Sequence, residues 1–315
     1  MVWPGVPRPF ATFRDDRSRR GAHRTCAVRA PRPLAVREAV LFVAVAYGLC
    51  LVLSLALPAW ELTPLVAAMA PVVAVAVIIP LTTPAGGRAA RWAGMGFRLP
   101  TIRGLLVAIA LPAAVASASF ALAAALDVVS LRGPVIGDPV PVAVNLAVFS
   151  VLFLGEEIGW RGYLLPRLAT VMSGRRAAIA TGAAHAAFHL PLLLLTTYQS
   201  AGSRILVVPM VMITITAAGA SYAWLRWSTG SIGTVSTMHA AVNESMQRWS
   251  AAVAATSPAA LAYTTTETGY VTALLMVLLA GYLLTCRAAV FRTGAQESRA
   301  LFGHTAAATS AHRTR

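Results

Sequence analysis

The sequence predicts an all-α membrane protein, a polytopic bundle of about eight transmembrane helices. Of its 315 residues, 57% are hydrophobic and only 12% are charged, and the mean hydropathy is +0.69. Soluble domains carry about 25% charged residues, so this chain has about half of the usual charge. The apolar residues also form runs of the length needed to cross the hydrocarbon layer, which is about 20 residues for a helix.

Eight segments of the sequence meet this length requirement. The seventh, SIGTVSTMHAAVNESMQRW, is the weakest, because it contains Ser, Thr, His, Asn and Glu. We count it as a span because an even number of crossings is needed if both termini lie on the same side. The predicted spans are 38–57, 63–82, 104–126, 141–160, 177–198, 205–225, 231–249 and 269–290.

The placement of arginine predicts the orientation. All 26 basic residues are arginine, and most lie in the two terminal tails, the 83–103 loop and the loop after the fourth span. The alternate loops contain only Arg132, Arg204 and Arg248. By the positive-inside rule, this is a multi-pass protein of the cell membrane with both termini in the cytoplasm. The same placement explains the net charge of +15 without nucleic-acid binding, and the Ala- and Arg-rich composition is typical of a GC-rich bacterial genome.

The sequence divides into a core and two tails. We expect residues 1–36 to form a basic, disordered cytoplasmic tail, since they contain Arg and Pro but no apolar run and are not a secretory signal. Residues 37–291 form the transmembrane core, with the motifs of interest within 140–250. Residues 292–315 form a second basic cytoplasmic tail. The three cysteines show no metal-ligand spacing and predict no disulfide framework.

Three of the predicted spans contain side chains that are costly in lipid. A charged group near the bilayer centre costs about 2.5–3.5 kcal/mol on insertion scales, so we expect such groups to face one another or a wet cavity. The groups are Glu156, Glu157 and Arg161 in the fourth span, His185 and His189 in the fifth, and His239 and Asn243 in the seventh.

Helical spacing sorts these groups. Glu157 and Arg161 are four residues apart on one face of a helix, which predicts an ion pair. Glu156 lies about 100° round the helix from Glu157 and is therefore the freer carboxylate. The two polar residues of the fifth span share a face, and so do those of the seventh. We expect the three helices to line one cavity that opens to the cytoplasm.

At these residues the sequence resembles the CPBP family of intramembrane proteases, which includes the type II CAAX prenyl proteases and a bacteriocin-processing group. The family has three ordered motifs: Glu-Glu-x-x-x-Arg, aromatic-x-x-x-His and His-x-x-x-Asn. Here they read EEIGWR (156–161), HAAFH (185–189) and HAAVN (239–243), so the resemblance covers roughly 140–250. One position departs from the family pattern, because His185 stands where the aromatic residue is usual.

The resemblance implies an intramembrane endopeptidase that hydrolyses peptide bonds of membrane-associated or lipid-modified substrates at the lipid bilayer. It implies one pair of side chains that activates water, one that stabilises the oxyanion and one that holds the site in shape. In that order, the pairs are Glu156 with His189, His239 with Asn243, and Glu157 with Arg161.

Two alternatives stay open at this point. Glu156, His189 and His239 match a catalytic ligand set for Zn²⁺, with His185 a weaker candidate ligand that can equally pack where the aromatic ring would. The other alternative is a non-enzymatic transporter or bacteriocin-immunity protein, since buried Glu and His chains also serve as proton relays. Asn243 favours the protease, because a relay has little use for an Asn one turn from a His.

Overall fold

The computed structural model describes residues 32–199 and 201–303, which fold almost wholly into helices. The all-α class predicted from the sequence is confirmed. In chain order, the helices of these residues are α1 (Arg32–Ala56), α2 (Thr63–Ala67), α3 (Ala70–Thr82), α4 (Ala85–Ala93), α5 (Ile102–Ala125), α6 (Pro139–Leu152), α7 (Leu154–Glu157), the π-helix (Ile158–Leu164), α8 (Leu165–Val171), α9 (Gly174–Phe188), α10 (Leu190–Leu195), α11 (Arg204–Thr229), α12 (Ile232–Ala252), α13 (Pro258–Thr264), α14 (Tyr270–Cys286) and α15 (Ala288–Gly303).

Six helical segments among the described residues are long and apolar enough to cross a membrane, so the predicted polytopic bundle is confirmed. They are Leu34–Ala56, Thr63–Thr82, Ile102–Ala125, Pro139–Val171, Gly174–Leu195 and Arg204–Thr229. The α14–α15 pair, bent by 72°, raises the number to seven if it is one span. Helix α12, the predicted seventh span, forms over 21 residues but is not among the apolar segments. The count of eight therefore stays a prediction.

Two short strands add a feature that the sequence analysis did not predict. Strand β1 (Val129–Leu131) pairs antiparallel with β2 (Val253–Ala255), with Val129 opposite Ala255. The pairing joins the loop after α5 to the end of α12. These two loops therefore lie at the same end of the bundle.

The ends of the described chain differ from the predicted tails. Residues 32–36 belong to α1 instead of the tail predicted for 1–36, and residues 1–31 lie outside the described part of the chain. The tail predicted for 292–315 is helical as far as Gly303, because α15 continues from Ala288 and packs on α8, α9 and α11. Residues 304–315 lie outside the described part.

The loops fall on two faces of the bundle. On one, the Ile232 N–H donates to the Gly96 carbonyl at 2.8 Å. On the other, the Thr197 N–H donates to the Pro58 carbonyl at 3.3 Å, and the two strands pair. One face is made by the connecting segments 83–101, 172–173 and 230–231, and we call it the arginine-rich face because it contains Arg88, Arg91 and Arg98. The opposite face is made by the connecting segments 57–62, 126–138, 196–199, 201–203 and 253–269.

Helices α9 and α11 cross at two glycines. A Cβ on Gly219 would lie 2.5 Å from the Gly182 Cα, and a Cβ on Gly182 would lie 2.5 Å from the Thr216 carbonyl oxygen. Small residues let membrane helices approach this closely. The crossing brings His185, one turn after Gly182, and Tyr222, one turn after Gly219, to the walls of the same cavity.

A buried ionic cluster lies near the arginine-rich face. Glu38 of α1 accepts hydrogen bonds from Arg91 at 3.0 Å and from Arg167 at 2.9 Å. The Arg167 guanidinium carbon also lies 3.3 Å from the centre of the Tyr163 ring. Arg167 lies in the segment predicted as the loop after the fourth span, yet it is only 2% exposed. Its burial is possible because Glu38 neutralises it, and the cluster ties α1 to α4 and α8.

Candidate active site

The two adjacent glutamates lie where the fourth span changes its helical geometry. Glu156 and Glu157 end α7, and the π-helix begins at the next residue. Gly159 lets this segment approach α3, since a Cβ there would lie 2.4 Å from the Pro71 Cβ. Pro166, two residues after the π-helix, has no N–H to continue an α-helical ladder. Single π-helical turns often occur at functional sites.

The ion pair predicted from spacing is present and fully buried. Arg161 Nη1 lies 3.0 Å from Glu157 Oε1, and both side chains are 0% exposed. Nδ1 of His239 also lies 3.0 Å from the same oxygen and donates to it. The Arg161 guanidinium carbon lies 4.5 Å from the centre of the Tyr222 ring, a distance at which cations and aromatic rings attract. Glu157 is therefore held from two helices.

His185 connects the ion pair to the other glutamate. Its Nδ1 lies 3.1 Å from Arg161 Nη1, and its Nε2 lies 2.7 Å from Glu156 Oε2. Because a guanidinium can only donate, Nδ1 is the acceptor and the proton sits on Nε2, which donates to Glu156. The ring also lies 5.3 Å from the Trp160 ring at an angle of 27°. His185 thus packs as an aromatic residue would and also makes two hydrogen bonds.

His239 is fixed by stacking and by the start of its helix. Gly230, with a φ of 68°, ends α11 in the left-handed conformation, and the Ser231 side chain caps α12 by accepting from the Thr234 N–H. Two aromatic rings enclose the imidazole: Phe153 at 4.2 Å and Tyr222 at 5.5 Å. The ring therefore has little freedom to turn.

Asn243 lies one turn further along α12 than His239, as the spacing predicts. Its Nδ2 donates to the His239 carbonyl at 3.2 Å. The side chain is half-buried and lines the same cavity as the glutamate and the histidines. Its amide group is therefore within the reach of a molecule in that cavity.

His189 lies one turn after His185, at the junction of α9 and α10. Nδ1 of His189 lies 3.0 Å from the His185 carbonyl oxygen. A carbonyl can only accept, so the proton is on Nδ1 and the Nε2 of His189 is an acceptor. The side chain lines the cavity and is 9% exposed. His189 therefore offers an acceptor nitrogen, and it lies nearer than His185 to the face opposite the arginine-rich one.

These side chains line one cavity of about 320 Å³, which is within the range of small-molecule and peptide sites. The sequence analysis expected it to open toward the cytoplasm, on the side of the arginine-rich loops. The lining instead continues to residues of the opposite face. Which of the two faces is cytoplasmic stays a prediction. The residues at this mouth are Glu61, Tyr198, Gln247 and Glu267.

Tyr198 and Glu267 make a hydrogen bond at the mouth. The Tyr198 hydroxyl donates to Glu267 Oε2 at 3.3 Å. Burial and the neighbouring Glu267 carboxylate raise the pKa of Tyr198 well above its usual value. The hydroxyl therefore stays protonated and keeps its role as the donor.

The cavity also contains a group whose spacing could hold a metal ion. Ligand atoms of Glu156, His185 and His239 all lie within 4.8 Å of one another. The group contains His185, which the sequence analysis ranked below His189, because His185 is the histidine at the level of the glutamate. Zinc binds a lone pair, however, and the proton that Arg161 imposes on His185 Nε2 occupies that position. A zinc ion bound there would have to displace this proton.

Two further residues of the cavity were not identified from the sequence. Tyr222 stacks on His239, and Thr214, two turns earlier on α11, lines the cavity with its hydroxyl buried and unpartnered. In the sequence they are single polar residues within the apolar run of α11, where the usual interpretation is packing. Their spacing of eight residues was the one available signal.

The fold and these groups define a helical membrane protein with a buried Glu–His site. Residues 138–245 match the family model described as Type II CAAX prenyl endopeptidase Rce1-like. This range contains all three motifs, and over it the chain is similar to the type II CAAX prenyl endopeptidases. The resemblance identified from the sequence is confirmed. Among curated proteins, none matches the chain.

Proposed function

We propose that the protein is an intramembrane endopeptidase of the CAAX-protease type, which hydrolyses peptide bonds of membrane-associated substrates next to Glu156. One observation carries the proposal: Glu156, His185, His189 and His239, which come from three segments of the bundle, line one cavity in the matched part of the chain. A carboxylate beside such a cavity can accept a proton from water, the first step of peptide hydrolysis.

The proposed water activation uses Glu156 and His189. Glu156 accepts the proton of the attacking water and later delivers it to the leaving amine. His185 positions this carboxylate by donating from Nε2, at 2.7 Å. His189 contributes the acceptor nitrogen Nε2, which orients the same water. The hydroxide equivalent adds to the peptide carbonyl, and the C–N bond then breaks with the proton going to nitrogen.

The proposed oxyanion site consists of Asn243 and His239. Asn243 Nδ2 has a second hydrogen that can be donated to an oxygen in the cavity. In its imidazolium form, which the Glu157 carboxylate stabilises, His239 donates from Nε2 as well. Losing one such donor typically costs about 2.7–4 kcal/mol of transition-state stabilisation. Glu157 and Arg161 act as positioning residues, since they hold His239 and His185.

The transporter alternative has less support than the peptidase. A transporter also opens to one side of the membrane at a time, so the one-sided lining of this cavity does not separate the two functions. The matched family consists of endopeptidases. An immunity protein would not need two hydrogen-bond acceptors (Glu156 and His189) and two donors (His239 and Asn243) around one cavity.

The proposal is tested with purified protein in lipid vesicles and a panel of membrane-anchored peptides. Cleavage in H₂¹⁸O should add one ¹⁸O to each new carboxyl terminus, which mass spectrometry detects. Glu156→Gln keeps the size of the side chain but removes the base, so the rate should fall about 10²–10⁴-fold. Its thermal unfolding should stay close to that of the original protein. A Glu156→Gln protein that cleaves at the full rate would show that Glu156 is not the base.

A further inference from the structure

The charge of the cavity is opposite to that of the chain. The chain has a net charge of +15 and no lysine. Yet Glu61 and Glu267 stand at the mouth and Glu156 stands further in, whereas none of the arginines in the described residues lines this cavity. A cleft lined by one sign of charge between apolar walls raises the local concentration of oppositely charged ligands. The mouth therefore favours a positive group.

Thr214 is a second, independent sign of a ligand. It is 3% exposed, it lines the cavity, and its hydroxyl has no hydrogen-bond partner. Some threonines of the bundle donate to a carbonyl of their own helix, as Thr229 does to Leu225 at 2.8 Å. Thr83, Thr181 and Thr234 are also buried without a partner, but of these four residues only Thr214 lines the cavity. A buried hydroxyl without a partner costs free energy, so the position is explained if a bound molecule supplies the partner.

The spacing along two helices gives the length of the bound segment. Gln247 at the mouth is eight residues after His239 on α12, and Thr214 is eight residues before Tyr222 on α11. Both intervals correspond to about 12 Å along a helix. An extended peptide covers this distance in about four residues. A chain held at the glutamates of the mouth therefore reaches the histidines with its fourth residue.

We propose that the cavity binds a peptide with a cationic side chain about three to five residues from the bond that is cleaved. The cationic group lies at Glu61 and Glu267, and a peptide group of the intervening segment hydrogen-bonds to Thr214. This substrate class rests on the proposed function. A peptide whose terminal carboxylate lies at this mouth is disfavoured, because it would face two carboxylates.

Binding is measured separately from cleavage, with Glu156→Gln protein in nanodiscs of uncharged phosphatidylcholine. The probes are two fluorescein-labelled, acyl-anchored peptide libraries of Ala, Leu and Ser. One contains a single Arg at a fixed position, and the other contains citrulline there, which has the shape of Arg without its charge. We expect the Arg library to bind at least about tenfold more tightly, with the difference shrinking at high salt. Equal binding of the two libraries would overturn the proposal.

Substitutions test whether the preference for Arg over citrulline arises at the mouth of the cavity. Glu61→Gln with Glu267→Gln should reduce the Arg-to-citrulline ratio to about twofold or less, since the charges are removed. Asp127→Asn is the matched control, because Asp127 is an exposed carboxylate on the same face that does not line the cavity, and Asn accepts its φ of 56°. It should leave the ratio unchanged. A ratio that survives the double substitution, or falls in the control, contradicts the proposal.

Thr214→Val removes the hydroxyl and keeps the shape. Both libraries should bind about three- to tenfold more weakly, while the melting temperature stays the same or rises, because no internal hydrogen bond is lost. Unchanged binding would exclude the contact with Thr214. If the active protein cleaves neither library but binds Arg peptides selectively, the proposed function fails and the cation site stands. Cleavage without selectivity gives the reverse conclusion.

Discussion

His185 connects the Glu157–Arg161 ion pair to Glu156, the proposed base. It accepts from Arg161, donates to Glu156 and stacks on Trp160. The Glu157–Arg161 pair therefore acts on the proposed base through one imidazole. Neither partner of the pair needs to touch the substrate to affect the reaction, because a change in Arg161 alters the tautomer of His185.

Replacements of His185 separate its two contributions. Gln has a carbonyl to accept from Arg161 and an amide to donate to Glu156, whereas Phe offers only an aromatic ring. We expect His185→Gln to retain partial activity and His185→Phe to lose at least about tenfold, since a lost hydrogen bond to a charged group costs about 1.5–3 kcal/mol. Cleavage assays and melting curves check this. Full activity of His185→Phe would mean that His185 only packs.

Chelation tests whether the Glu–His–His group holds a metal. Because Arg161 places a proton on His185 Nε2, we expect dialysis against a strong chelator to leave cleavage unchanged and elemental analysis to find substoichiometric zinc. A known zinc peptidase treated in parallel shows that the chelator works. One zinc per chain, lost together with activity and in His185→Gln, would contradict the tautomer derived from the contacts.

The buried ion pair makes a prediction about stability. Arg161→Ala leaves Glu157 fully buried with only His239 as its partner, and breaking such a pair costs about 3–5 kcal/mol. The melting temperature in detergent should therefore fall clearly. Adding Glu157→Gln removes the stranded charge and should restore part of the loss. If the double variant is less stable than Arg161→Ala alone, the unpaired Glu157 charge is not the cause of the lower melting temperature.

At the scale of elements, periodicity and length predicted most helices but not their irregularities. The segments predicted at 63–82 and 104–126 lie within a residue or two of the observed helical bounds. The π-helix was not predicted, and the close approach of Gly159 to Pro71 within it joins residues that are far apart in sequence. No proline in the sequence near the end of α14 predicts the 72° bend there. The motif spacing placed Glu157 beside Arg161, but only the packing of α9 on α11 brings His185 to Glu156.

The α9–α11 crossing is the element on which that arrangement depends. Gly219→Ala would put a methyl group 2.5 Å from the Gly182 Cα, so the helices must separate and move His185 from its partners. We expect lower thermal stability, by about 1–3 kcal/mol, and at least tenfold lower activity. Gly281→Ala is the matched control, since a Cβ there meets nothing within 4 Å. Equal effects of the two substitutions would show that the crossing tolerates the methyl group.

For the whole molecule, the connecting segments on the face of the mouth contain Arg132, whereas those on the other face contain Arg88, Arg91 and Arg98. Loops 83–101, 172–173 and 230–231 define the arginine-rich face, and the described mouth residues all belong to the other one. If the positive-inside rule holds, the cavity opens away from the cytoplasm and receives peptides from outside the cell or from the outer leaflet. The orientation then decides which pool of substrates is available.

Reporter fusions test this orientation and the crossing by α12 together. Fusions after residues 60, 135, 200 and 258 should read as extracytoplasmic, and those after 92, 172 and 300 as cytoplasmic, because the arginines follow this division. The pairing of Val129–Leu131 with Val253–Ala255 requires the fusions after 135 and 258 to agree, whatever the orientation. If every fusion gives the opposite of its expected signal, the orientation in the membrane is reversed but the fold is still correct. A cytoplasmic signal at 258 alone would mean that α12 does not cross, and the site around His239 would then be wrong.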